Sequence, residues 1–264
     1  MLALKLTLVP LFLLIVSMSG KWWGPAVAGW LAGLPVVAGP ILFLLVLAHG
    51  PAFGAHAALL SLSAILASEA FNFAYAWTCR VRPWPVALAA GLGAWLISAF
   101  GLSYLPATPA WSAFVALAAV CLGQSCLPRS TAVAAGAPLT RTDLIARMAA
   151  GATLTIVVTS ISGRAGASWS GLLAVFPLLG TILCVSSQRA HGAAFVVSLV
   201  RGMVLGRFSF ASFCLALAFA LPVQPAWAAF AEAAALAMLT QWLTKHLAMR
   251  NPEEITQEST VEAD

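Results

Sequence analysis

Four ionisable side chains, Glu69, Arg201, Arg207 and Glu232, lie inside runs of apolar residues rather than beside them. A charge held near the middle of a membrane costs at least about 2.5–3.5 kcal/mol, so it normally faces a partner or a water-filled cavity. At about 1.5 Å per helical residue, Glu69 and Arg201 lie roughly 14 Å and 12 Å from the cytoplasmic ends of their runs. Those depths pair Glu69 with Arg201, and leave Arg207 and Glu232 in the outer half as a second candidate pair. Two chemistries fit: ion pairs that only hold helices together, or a substrate or proton pathway whose arginines suit an anion. Arg201 and Arg207, six positions apart, fall on different helix faces unless the helix bends at Gly206. Asn72, Tyr75 and Gln124 add hydrogen-bonding capacity within the same runs.

Pro35 and Pro177 each fall about ten residues into an apolar helix, near mid-bilayer. A proline there removes a backbone donor and frees a carbonyl one turn back. Gly29, Gly33 and Gly39 surround the first, and Gly171 and Gly180 the second, so other backbones can approach closely. Interrupted helices in corresponding halves mark the substrate site of many transporters; a packing kink where the two helices cross is the plainer reading. His49 and His191 close the same two helices, each followed by glycine, and fit either a pH-sensing role or simple helix termination.

Enzymatic chemistry lacks its parts. The chain carries no HExxH, no GxSxG and no P-loop, and Asp143 is the one aspartate before the C-terminal tail. The five cysteines have no CxxC spacing and no histidine cluster beside them, which makes them small apolar fillers. The expectation is a non-enzyme with no metal, no cofactor and no nucleic-acid partner.

Hydrophobic residues make up 62% of the 264, and charged residues 8%. A soluble domain of this size cannot bury so much apolar surface, and soluble chains carry about 25% charge. Continuous apolar runs, not alternating ones, point to membrane helices. Nine runs qualify, at about 3–19, 26–48, 53–78, 85–104, 110–127, 148–162, 168–187, 193–220 and 226–247. Residues 1–20 also have the look of a secretory signal, but TLVPLFLLIVSMSG (7–20) has a counterpart in ATLTIVVTSISG (152–163), which argues for retained structure. Trp22, Trp23, Trp84, Trp111, Trp169 and Trp227 fit interfacial anchors.

The second proline helix repeats the first at a constant offset of 142. Gly29/Gly171, Leu31/Leu173, Pro35/Pro177, His49/His191, Gly50/Gly192 and Phe53/Phe195 are identical pairs, and the offset carries on to Val81/Val223 and Pro83/Pro225. Each unit therefore has four spans, with the fifth unmatched. Four spans plus one is odd, so the second unit should be inverted. Loop charge agrees: with the N-terminus outside, the cytoplasmic side collects Lys21, Arg80, Arg82, Arg129, Arg141, Arg147, Arg189, Lys245 and Arg250, against Lys5 and Arg164 outside.

Gly171-Leu172, Phe176-Pro177-Leu178, Gly192 and Leu199-Val200-Arg201-Gly202-Met203 form a pattern that resembles the GlpM family of small bacterial inner-membrane proteins. The chain looks like two such units fused through the fifth span, over roughly 200 residues. The first unit departs from the pattern, with Leu34 in place of Phe176 and Leu59 in place of Arg201. The resemblance implies an envelope role linked to alginate production but brings no catalytic or transport residues.

The resulting expectation is an all-α polytopic bundle in a bacterial inner membrane, N-terminus periplasmic and C-terminus cytoplasmic. Its parts are 1–106 (first unit), 107–130 (linker span), 131–250 (inverted second unit) and 251–264 (disordered acidic tail). The preferred function is secondary transport of a small, anionic solute, with Glu69, Arg201, Arg207, Glu232, Pro35, Pro177 and Asn72 along the pathway. The alternative is a non-transporting scaffold for envelope polysaccharide or lipid synthesis. Oligomer formation is left open.

Overall fold

The computed structural model describes residues 2–36, 38–105, 108–128, 141–162 and 176–248. The expected acidic tail, Trp169 and Gly171 lie outside the described residues. All regular structure among the described residues is helical: α1 (Leu2–Trp23), α2 (Pro25–Ala32), α3 (Ala38–His49), α4 (Pro51–Ser63), α5 (Ile65–Thr78), α6 (Trp84–Leu102), α7 (Pro109–Cys126), α8 (Arg141–Ser162), α9 (Leu178–His191), α10 (Ala193–Ala220) and α11 (Ala226–Ala248).

Among the described residues, four stretches are long and apolar enough to cross a membrane: Pro51–Thr78, Trp84–Leu102, Pro109–Cys126 and Ala193–Ala220. Around them the bundle turns large apolar side chains outward, among them Ile97, Phe100, Phe114, Leu117, Phe219, Met238 and Trp242. Such an exterior suits lipid, which supplies the apolar surroundings that water cannot. Trp22, Trp23 and Trp227 are exposed at helix ends, as interfacial anchors require. Of the cysteines, Cys79, Cys184 and Cys214 are buried fillers, whereas Cys121 and Cys126 are exposed on α7.

One expected continuous span is broken. The second gives way after Ala32, and the chain re-enters a helix only at Ala38, so Pro35 lies in an interruption rather than a kink. The third, by contrast, runs through as one stretch, Pro51–Thr78, with only a local distortion at Ala64, whose N–H still bonds the Leu60 carbonyl at 2.9 Å and whose carbonyl still accepts from Ser68 at 3.1 Å. There the Ser61 hydroxyl donates to the Ala57 carbonyl at 2.9 Å, a back-bond that bends helices, while the Ser63 hydroxyl reaches across to Ser112 of α7 at 2.8 Å.

Positions related by the 142-residue offset form like turns. In the turn after α5, the N–H groups of Val81 and Arg82 donate to the Thr78 carbonyl at 3.1 and 2.9 Å. In the turn after α10, 142 residues later, those of Val223 and Gln224 donate to Ala220 at 3.1 and 3.0 Å. The long-range contacts exchange partners in the same way. Gln188 of α9 donates to the carbonyls of Cys79 and Arg82 at 3.3 and 3.1 Å. Its counterpart by offset, Val46, borders Gly54 together with Leu221, the counterpart of Cys79.

The core has two parts. The larger runs through α4–α7 and α10, with Phe71, Tyr75, Val200, Val204, Phe213 and Leu217 buried in it. The smaller gathers Val9, Phe12, Leu13 and Val16 of α1 with Ile182, Leu183, Leu199 and Met203. Residues beside both prolines border it, Leu34 and Val36 on one side and Leu178 and Leu179 on the other. While 168–175 of the second proline helix lie outside the described residues, the main crossing among those described is one in which α2 packs most extensively against α10. Glycine faces glycine there: a Cβ on Gly33 would overlap Gly206, and one on Gly202 would overlap the Ala26 carbonyl. The spacing Gly202-xxx-Gly206 opposite Gly29-xxx-Gly33 lets the two backbones touch.

Candidate functional site

Glu69 projects from α5 into the larger core and is 4% exposed. Its partner is Arg207 rather than Arg201: Arg207 Nε donates to Oε1 at 3.0 Å. Asn72, one turn along the same helix, donates to the other carboxylate oxygen at 3.2 Å. An i, i+3 spacing puts Asn72 and Glu69 on one face, and α10 delivers Arg207 to that face from the second unit. The linker span closes the site, since a Cβ on Gly123 would lie 3.4 Å from Glu69 Oε2 and 3.1 Å from Val204. From α9, Gly180 approaches the same place, where a Cβ would make ordinary contact with Phe71 at 3.5 Å and Asn72 at 3.9 Å. One carboxylate, one guanidinium and one amide thus meet where both units and the linker join.

The pair is unequal. Glu69 receives two donors, whereas Arg207 commits only Nε, and its side chain is 18% exposed. No other group among the described residues bonds Arg207, so its two terminal nitrogens are available to an anion. A guanidinium offers five donors in a fixed fork, and an oxyanion takes two of them at once.

The other expected charges lie elsewhere. Arg201 Nη1 donates to the Leu127 carbonyl at 3.2 Å, and Gln124 donates to the Arg201 carbonyl at 3.2 Å, so both tie α10 to the end of α7. Helix geometry explains the exchange of partners: six residues rotate a side chain by about 240°, so only one of the two arginines can face α5. Glu232 is exposed and accepts from Gln224 at 2.6 Å, not from Arg207. Tyr75, read as helix glue, donates to Gln188 at 2.8 Å.

Pro35 lies in the gap between α2 and α3, and Pro177 immediately precedes α9; the neighbouring Leu34, Val36, Leu178 and Leu179 border the smaller core. His49 and His191 do not cap their helices with a side-chain bond. Each stacks on the phenylalanine four residues on, with ring centroids 4.7 Å apart for His49–Phe53 and 4.4 Å for His191–Phe195. His191 lies past the end of its expected span. There burial, and then the charge of Arg147, push its imidazole below the ordinary histidine range, with Asp143 opposing in part.

Sequence reading missed several tethers. Trp30 donates to Thr244 at 3.1 Å, and Gln241 donates to the Trp30 carbonyl at 3.0 Å, locking α2 to α11. The Gly202-xxx-Gly206 spacing was a readable signal, and it goes with the close crossing. No grouping of three or more metal-binding side chains occurs among the described residues. Comparison with protein-family models, with curated proteins and with solved structures found no match for this chain.

Proposed function

We propose that this membrane protein is a secondary transporter of a small anionic solute, built as nine spans in a 4+1+4 arrangement with the second unit inverted. The observation that carries this reading is the buried Glu69–Arg207 pair, one member from each unit, with the terminal nitrogens of Arg207 uncommitted. An intramembrane ion pair is costly to keep, and such pairs commonly serve substrate or proton pathways. The solute competes with Glu69 for the guanidinium, and protonating Glu69 releases Arg207 to it. The helix interrupted around Pro35, with Pro177 at the corresponding position ahead of α9, favours alternating access. The exchanged contacts of Gln188 and Val46 favour a pseudo-two-fold relation between units. The orientation, N-terminus periplasmic in a bacterial inner membrane, rests on loop charge, and the GlpM-like character of each unit on sequence pattern.

The test is anion flux into proteoliposomes holding the full chain, across a panel of small carboxylates and phosphates. Wild type is expected to show saturable uptake that Arg207→Gln abolishes and Glu69→Gln uncouples from the proton gradient, while Arg201→Gln leaves it within a few-fold. Uptake indifferent to both Glu69 and Arg207 sinks the proposal. One observation favours a second reading, a non-transporting scaffold for envelope synthesis: the glycine-on-glycine crossing of α2 and α10 welds the two units together. Absence of flux for every anion, with the protein folded, supports that reading.

A further inference from the structure

At the other core lies a cation that the Glu69 site does not use. Arg147, in the second turn of α8, is 6% exposed. Its Nη1 donates to the buried Ser17 hydroxyl of α1 at 3.1 Å, while Nε and Nη2 are buried with no acceptor. A buried charged group without partners is among the costliest features a fold can keep. The Nε–Nη2 edge is the edge of the fork that takes two oxygens of one oxyanion. Beside it His191 of α9 also buries an unpartnered nitrogen, Nδ1. Asp143, one turn earlier on α8, supplies part of the counter-charge but bonds neither arginine nitrogen.

The surroundings carry the same sign. Lys21 follows Ser17 by one turn on α1 and is exposed, as is Arg189 near the end of α9. Trp22 and Trp23, exposed at the end of α1, mark this level as the membrane interface. Arg147 also lies near the positive end of the α8 dipole. Basic pockets between helices at this depth hold the headgroups of acidic lipids.

We propose that Arg147, through Nε and Nη2, with His191 Nδ1 beside it, binds a phosphate oxyanion, supplied either by an anionic lipid headgroup or as the free ion. This site stands apart from the Glu69–Arg207 pair and does not depend on the transport reading.

The test uses the full chain in nanodiscs of phosphatidylcholine with and without phosphatidylglycerol, and in phosphatidylcholine with added inorganic phosphate at constant ionic strength. Native mass spectrometry after release counts retained lipid, and thermal unfolding reports stabilisation. Wild type is expected to retain phosphatidylglycerol about tenfold or more over phosphatidylcholine, the scale of one charge-assisted hydrogen bond. Arg147→Met should fold in phosphatidylcholine, because it deletes an unpaired buried charge, and should lose that enrichment. Arg147→Lys, which keeps charge but not the fork, should lose most of it. Stabilisation by inorganic phosphate that vanishes in Arg147→Met assigns the site to the free ion, and lipid enrichment alone assigns it to the headgroup. No response to either source in wild type, or a response that Arg147→Met leaves intact, overturns the proposal.

Discussion

At the end of α3, Gly50 adopts φ 89°, ψ 169° and the His49 ring stacks on Phe53; at the end of α9, Gly192 adopts φ 81°, ψ −178° and His191 stacks on Phe195. The turns are alike, but what surrounds them is not. His49 is exposed, whereas His191 lies beside Arg147 with a buried, unpartnered nitrogen. The same divergence runs through both units. Glu69 has Ala211 at its counterpart position, and Arg207 has Ile65, so the ion pair exists once. Gly33, Gly202 and Gly206 have Val175, Leu60 and Ala64 as counterparts, so the close crossing also has no equal by sequence. Offset positions thus share backbone turns but not the groups that could do chemistry, which occur in single copies.

The largest expected effect tests whether that single ion pair holds the units together. Removing one partner of a buried pair leaves an uncompensated charge, at a cost of about 3–5 kcal/mol. Glu69→Gln and Arg207→Gln should each lower stability by that order, and the double substitution should recover most of the loss. Chemical unfolding in detergent micelles measures all three. Additive losses in the double variant would show that the two side chains act independently.

The turns give the next effect, and here the units should behave alike. The φ and ψ of Gly50 and Gly192 fall in a region open essentially to glycine alone, where another residue costs of order 1–3 kcal/mol. Space is open around both positions, so strain is the whole effect. Gly50→Ala and Gly192→Ala should therefore destabilise about equally. A loss confined to one would mean that only that turn is required, and the backbone equivalence would lose its energetic meaning.

Much of this was legible in the sequence. Apolar runs gave the helices their places, and the offset pairs located turns that recur bond for bond. Asn72, Tyr75 and Gln124 were recognised as polar groups that must find partners, and each has one. Partner identity was not legible, because depth along a helix ignores rotation about it: Arg201 matched Glu69 in depth but faces α7, and Arg207 faces the carboxylate. The tether from Ser63 to Ser112 of α7 also escaped, since no periodicity encodes it. Arg147 read as one more loop charge because nothing local indicates that Ser17 of α1 will bury it.

The smallest effect concerns His191, and its sign follows from its surroundings. Burial first, and Arg147 next, hold its imidazole below the ordinary histidine value, against a weaker opposing pull from Asp143. The neutral ring is thus favoured in the folded protein relative to the unfolded chain, whose histidine titrates near about 6.5. Stability linked to this group is complete above that value and is lost as pH falls through the lower folded one. The loss should be small, because the ring is partly exposed and solvent screens the arginine. His191→Gln should flatten the acid limb of a stability–pH curve recorded in phosphatidylcholine. Bound phosphate oxyanion would reverse the local charge, favour the imidazolium and shrink the wild-type loss. An acid limb unchanged by His191→Gln would mean that neither burial nor Arg147 shifts this ring, and the two turns would not differ in their titration.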